Sequence, residues 1–229
     1  MASICIYRTD ISRWRATDCL SLLDEGEHRR AGEIGSMDAW CEFVIGRAFL
    51  RCILSSHTTW SPQSLRFATE AVGKPVLHGS SCLHFNLSHS RGTVVVAVAP
   101  TRVGVDIEHI DQEIDHVAVG REVYSDAELE CLRDLDGVQL SFRFHEIWTR
   151  KEAYLKATGL GFSANLRAIS VAMSNGLVRD RSQSAESPRW YSHPLDLGRD
   201  FKAAVASATP YPRIVYCQHE PSAQLSWPG

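Results

Sequence analysis

Residues 103–108 read Val103-Gly104-Val105-Asp106-Ile107-Glu108, and residues 148–156 read Trp148-Thr149-Arg150-Lys151-Glu152-Ala153-Tyr154-Leu155-Lys156. The first stretch has the alternation of a strand. Val103, Val105 and Ile107 face one way, and Gly104, Asp106 and Glu108 face the other. The apolar set predicts a core-facing side, with two carboxylates side by side on the opposite side. The glycine beneath them reads as a point where a ligand comes close to the backbone. Like charges this near repel and raise each other's pKa unless a cation neutralises them. A magnesium ion, which prefers oxygen ligands in octahedral array, suits them. The bland alternative is an edge strand with two ordinary surface acids.

The second stretch has the spacing of a helix. Trp148, Glu152 and Lys156 recur every four residues and share a face. As a surface pair, Glu152 and Lys156 would contribute only about 0.3–0.5 kcal/mol. Set beside the strand acids, Glu152 supplies a third carboxylate and Lys156 a cation for a phosphate. This is equipment for magnesium-dependent phosphoryl-type transfer.

Working outward, residues 3–7 alternate as an opening strand, and 36–55 carry a broad apolar helical face with Asp38 as the expected cap. Segment 71–83 has no clear period and holds the turn Gly73-Lys74-Pro75. Phe85 and Leu87 begin a strand expected to stop at Ser88-His89-Ser90-Arg91-Gly92. The run 93–99 is a buried strand, and Pro100-Thr101-Arg102 turns the chain into 103–108. Ser125 and Glu128 form a capping box that opens a helix over about 126–134. A second helix over about 139–157 ends at Gly159 and Gly161. Strands are expected at 168–173, 189–192, 201–207 and 213–217, with 179–188 as a polar loop. The strand 202–210 echoes 94–100, each made of small residues before a proline, which admits two related halves.

The chain has 229 residues, 44% hydrophobic, with net charge −3. That allows one large domain or two small ones. It supplies no sequence-wide basic field for nucleic acid. No apolar run reaches the length of a membrane span. Residues 1–8 lack the charged start and apolar centre of a signal peptide, so a cytoplasmic address is expected. The seven cysteines are odd in number and include no Cys-x-x-Cys pair, which reads as free thiols rather than disulfides or a zinc site.

His89 stands between two hydroxyls, Ser88 and Ser90, just before the acidic strand. Such a cluster offers several donors to an anion, and Lys74 adds a cation upstream. In this order, Gly73-Lys74-Pro75, Phe85-Asn86-Leu87-Ser88-His89-Ser90, the 103–108 strand and the 148–156 helix, the chain resembles the 4′-phosphopantetheinyl transferase superfamily. Its length and β-rich last third are similar to the single-chain, pseudodimeric, surfactin-synthetase-activating members. The resemblance covers about residues 20–215.

The resemblance implies an α+β pseudodimer of two similar halves, 1–105 and 106–229, with the active site in the cleft between them. It implies that Asp106, Glu108 and Glu152 hold Mg²⁺ against the pyrophosphate of coenzyme A. Lys156 then neutralises the phosphate under attack and protonates the departing 3′,5′-ADP. Ser88 and His89 meet the 3′-phosphate side of coenzyme A, Lys74 lies along the same nucleotide, and Arg29 (or Arg30) makes an early basic contact. Glu152, directly or through water, is the base for a serine of an acyl or peptidyl carrier protein. Many relatives carry a basic residue one or two places before the Phe43-Val44 pair. Cys41 and Glu42 stand there in this chain, leaving Arg47 and Arg51 as substitutes. The expected protein is a monomeric transferase that makes no use of membrane or nucleic acid. The rivals are a metal-dependent pyrophosphohydrolase acting on a nucleotide and a non-catalytic coenzyme A or carrier-binding module.

Overall fold

The run Thr93–Ala99 forms a strand buried at every position, and the architecture follows from its two faces. In the computed structural model, which describes residues 3–70, 73–80, 82–161 and 164–219, eleven strands and six α-helices are present among the described residues. The strands are β1 (Ser3–Asp10), β2 (Phe67–Thr69), β3 (Pro75–Leu77), β4 (His84–Ser90), β5 (Thr93–Ala99), β6 (Val103–His109), β7 (Ile169–Ser170), β8 (Leu177–Asp180), β9 (Trp190–Leu195), β10 (Phe201–Ser207) and β11 (Arg213–Cys217). The helices are α1 (Ala16–Cys19), α2 (Glu25–Gly32), α3 (Met37–Ser56), α4 (His116–Val123), α5 (Asp126–Glu130) and α6 (Gly137–Thr158).

One sheet has the order β11-β1-β5-β4, and a second has the order β6-β10-β9-β8-β7. β5 lies antiparallel between β1 and β4, while β11 returns from the end of the chain to pair parallel with β1. The two long helices cover the outer faces. Val94, Val96 and Val98 of β5 pack with Val44, Phe49 and Ile53 of α3. Ala204 and Ala206 of β10 pack with Ile147, Ala153 and Ala157 of α6.

The remaining parity joins the sheets face to face. Ile4 and Ile6, with Val95 and Ala97, meet Val103, Val105 and Ile107 across one apolar layer. Each fully buried aliphatic side chain there contributes about 1.5–3 kcal/mol, so this layer is enough to clamp the sheets together. The order of layers is helix, sheet, sheet, helix. The fold is α+β, as the sequence leads one to expect.

β4 and β6 are the adjoining edges of the two sheets, and side chains rather than a backbone ladder join them. Asn86 Oδ1 accepts from the Val105 N–H at 2.8 Å, Ser88 Oγ from Ile107 at 3.4 Å, and Ser90 Oγ from His109 at 3.0 Å. Edge N–H groups left open in the interior would be costly, and this polar row satisfies them. β4 runs through Ser90, within the expected stop at 88–92, and its turn is at Arg91 and Gly92, both at positive φ.

Local signals at the helix ends fare unevenly. Ser36, not Asp38, caps α3, its Oγ accepting from the Ala39 N–H; Asp38 sits inside the first turn. The Ser125–Glu128 capping box forms, but its helix ends at Glu130, short of residue 134. Gly159 closes α6 at φ +78°, its N–H donating to Leu155 O at 2.8 Å. Of the aperiodic segment 71–83, residues 71, 72 and 81 lie outside the described residues. The rest holds β3, paired with β2 as a short hairpin.

Candidate active site

The acids gather where β6 lies under α6. Gly104 makes that approach possible: a Cβ there would lie 2.1 Å from Ala153 O and 2.4 Å from Ala157 N. The glycine therefore admits the helix backbone, not a ligand, which corrects the expectation from sequence. With the helix seated this closely, Asp106 and Glu108 on β6 share a face with Glu152 and Lys156 on α6.

Asp106 is 2% exposed. Its Oδ1 accepts from Lys156 Nζ at 2.6 Å and from Ser88 Oγ at 2.9 Å. Its Oδ2 is buried with no hydrogen-bond partner among the described residues. Burial pushes the Asp106 pKa up, opposed by the Lys156 ammonium and the Ser88 hydroxyl. Burial also raises Glu108 and Glu152, and the charge of Asp106 raises both further. Glu108 Oε2 accepts from Ser90 Oγ at 3.2 Å.

Two cavities flank this cluster. One, about 400 Å³, is lined by Ser90, Glu108, His109, His145 and Trp148. The other, about 240 Å³, is lined by Lys74, Asn86, Glu152, Lys156 and Gly159.

Among the described residues, no three acidic, histidine or cysteine side chains form a ready-made metal cage. Magnesium does not require one. It keeps several waters and uses one or two carboxylates together with substrate phosphates. The orphaned Asp106 Oδ2, and an Asp106 charge that raises the proton affinity of both Glu108 and Glu152, fit a hard divalent cation.

Several residues expected to meet coenzyme A are engaged elsewhere. Lys74 is 9% exposed, and its ammonium donates to Val103 O and Lys156 O at 2.8 Å and to Ala157 O at 3.2 Å. Its three N–H bonds tie β6 to the open carbonyls at the C-terminal end of α6. Burial, with Arg102 nearby, draws its pKa down to about 8. Lys74 thus clasps β6 to α6 in this arrangement, at the edge of the cavity that Glu152 and Lys156 line.

Ser88 donates to Asp106 and accepts from Lys156, both at 2.9 Å, so its hydroxyl braces the acids. His89 extends from the opposite face of β4, with Nδ1 3.4 Å from Glu42 Oε2 and its side chain 47% exposed. The pair Ser88-His89 therefore does not converge on one point.

Arg51 is wholly buried and bonds Asp24, Glu27 and the carbonyls of Pro62 and Leu65, while Arg47 binds Glu27 and lies over the Phe67 ring. Neither is free to replace a nucleotide-binding cation. Arg29 is exposed in the last turn of α2, and no hydrogen bond or ion pair links it to the acids among the described residues.

The sequence reading passed over Lys151. It is buried, with Nζ 2.7 Å from Glu128 Oε2 and 2.8 Å from the carbonyls of Val123, Leu166 and Ile169. One residue before Glu152, it points to another side of α6 and anchors the helix to α4, α5 and β7. The capping box at Ser125 and Glu128 was the available signal for this anchor.

Comparison with known proteins defines the class. Residues 102–206 match the model of the 4′-phosphopantetheinyl transferase superfamily, a span that holds all three acids and Lys156. The chain belongs to this superfamily. It is 34% identical over 195 residues to the 4′-phosphopantetheinyl transferase HetI of Nostoc sp. (strain PCC 7120), covering 83% of this chain and 81% of the relative. It is 34% identical over 146 residues to the 4′-phosphopantetheinyl transferase psf-1 of Bacillus pumilus, covering 63% and 62%. It is 27% identical over 168 residues to the 4′-phosphopantetheinyl transferase Sfp of Bacillus subtilis (strain 168), covering 73% and 74%.

Proposed function

We propose that this enzyme transfers the 4′-phosphopantetheine arm of coenzyme A to a serine of an acyl or peptidyl carrier protein, with Mg²⁺, and releases 3′,5′-ADP. The observation that carries the reading is the buried, unpartnered Asp106 Oδ2, set beside two further acids and within reach of a lysine. Asp106, Glu108 and Glu152 are the residues that would hold Mg²⁺. Bound there, the ion neutralises the pyrophosphate and the charge that develops on it.

The protein's own groups supply the rest. Lys156 is 29% exposed at its side chain and faces the cavity that Glu152 lines, which suits an ammonium on the oxygens of the phosphate under attack. It also donates the proton that the departing 3′,5′-ADP takes. Burial gives Glu152 a proton affinity above that of an ordinary glutamate, which favours a base that accepts the serine proton. Asp106 and Lys156 also face the coenzyme A phosphates. His89, half exposed on β4, and Arg29 on α2 are assigned to its nucleotide end.

The two sheet-and-helix units are read as related halves, with the active site in the cleft along β4 and β6. β6 goes with the second unit and the terminal β11 crosses back to the first. Seven free cysteines favour a cytoplasmic address, and no helix among the described residues is long and apolar enough to cross a membrane. The chain is read as acting as a monomer.

The test follows 3′,5′-ADP with and without apo-carrier protein, in Mg²⁺ and coenzyme A. Release that requires the carrier supports the transferase. Equal release without a carrier overturns it in favour of a pyrophosphohydrolase.

A further inference from the structure

Ser90 is the last rung of the polar row between β4 and β6, and its hydroxyl has two partners. It accepts from the His109 N–H at 3.0 Å and donates to Glu108 Oε2 at 3.2 Å. Asn86, the first rung, holds β6 in the same way but reaches no acid. Ser88, the middle rung, serves Asp106. Each strand acid thus has its own serine on the neighbouring sheet. Trp148 lies on α6 one turn before Glu152 and lines the same cavity as Ser90 and Glu108. Its indole, which can only donate, lies beside Glu108 in that lining.

We propose that Ser90 and Trp148 are positioning residues that fix one carboxylate oxygen of Glu108, so that the other is presented to a divalent cation shared with Asp106 and Glu152. The proposal rests on the metal reading of the acid cluster. A glutamate side chain loses rotamer freedom when an ion captures it. Two donors from different elements, β4 and α6, impose that order beforehand, as outer partners do in well-ordered metal sites. Ser90 gives the register along the seam, and Trp148 gives the distance from the helix.

The experiment is Mn²⁺ binding to the full chain, followed by electron paramagnetic resonance. It compares wild type, Ser90→Ala, Ser90→Thr, Trp148→Phe and Asp106→Ala, each checked by a melting curve. Loss of such an outer partner typically weakens metal affinity by about 10–100-fold. Ser90→Ala is therefore expected to bind Mn²⁺ roughly tenfold more weakly, and Ser90→Thr, which keeps the hydroxyl, to restore wild-type affinity. Trp148→Phe keeps the ring and loses the donor, and should weaken binding in the same direction. In the transfer assay the Mg²⁺ concentration for half-maximal rate should rise by the same factor, with the rate at saturating Mg²⁺ unchanged.

Should Ser90→Ala fail to fold, Trp148→Phe decides. Weakened binding by Asp106→Ala together with wild-type affinity in Trp148→Phe and in folded Ser90→Ala overturns the positioning role alone. Wild-type affinity in Asp106→Ala overturns the metal reading and this proposal with it.

Discussion

Gly104→Ala is a one-carbon change whose consequence can be worked out from the packing of β6 on α6. The added Cβ would meet Ala153 O at 2.1 Å and Ala157 N at 2.4 Å. Both are helix backbone, so no side chain can rotate away. Ordinary contact needs about 3.5 Å, so α6 must move outward by roughly 1 Å. Overpacking of this kind costs about 1–3 kcal/mol, and two backbone clashes put it at the upper end. For a chain of this size each kcal/mol lowers Tm by about 2–4 °C, giving a fall of roughly 6–12 °C. The same movement withdraws Lys156 from Asp106, and misplacement by about 1 Å can cost about 100-fold in rate. A melting curve and a carrier-loading assay on one preparation test both. Wild-type Tm with weakened coenzyme A binding would refute the packing argument and restore the glycine as a point of ligand approach. Wild-type behaviour in both assays would refute either role.

Three further outcomes are expected. Lys151→Met strands Glu128 as a buried charge without its cation, an effect of about 3–5 kcal/mol that calorimetry will register as a large fall in Tm; adding Glu128→Gln, which removes the charge and keeps an acceptor for Ser125 and Val171, should recover part of it, and no recovery would contradict the pairing. Burial lowers the pKa of His57, His84, His145, His193 and His219. Below the free-imidazole value of about 6.5, the unfolded chain then binds more of these protons than the folded one. Their contribution to stability is full above that value and is lost as pH falls toward the folded values. The raised acids Asp106, Glu108 and Glu152 act in the opposite sense, so the comparison is with His145→Gln, whose Tm should fall less than wild type between pH 7.5 and 5.5; parallel curves would refute it. His89→Ala should weaken coenzyme A binding and leave dephospho-coenzyme A nearly unaffected in calorimetry, whereas equal losses would move His89 away from the 3′-phosphate.

The strands 93–99, 201–207 and 213–217 were legible to the residue, because β-branched and small apolar residues leave little choice in a buried strand. The parity of 103–108 placed Asp106 and Glu108 on one face, and four-residue spacing placed Glu152 and Lys156 on another. What parity could not say is which backbone Gly104 admits. Lys74 was visible as a cation at a turn, but the carbonyls that bind it lie at 103, 156 and 157, contacts of long sequence separation. Arg47 and Arg51 were correctly placed on one helical face, and the partner that claims them, Glu27, belongs to α2, a helix too short and polar to declare itself. The alternation of Asn86, Ser88 and Ser90 was a readable sign of a polar strand face. Ser88 and Ser90 read instead, with His89, as donors for an anion, because nothing local shows that the facing surface is a strand edge.

The account is tested most directly by the intact mass of an apo-carrier protein after incubation with coenzyme A, Mg²⁺ and either wild type or the charge-swapped variant Glu152→Lys with Lys156→Glu. As a mere helix-surface pair the swap would change stability by only about 0.3–0.5 kcal/mol. In the proposed site it sets a cation among the acids and an anion against phosphate. The expected result is a carrier that gains one phosphopantetheine with wild type and none with the folded swap variant. A folded swap variant that loads the carrier at the wild-type rate, or a wild type that leaves every apo-carrier unmodified, would contradict the account.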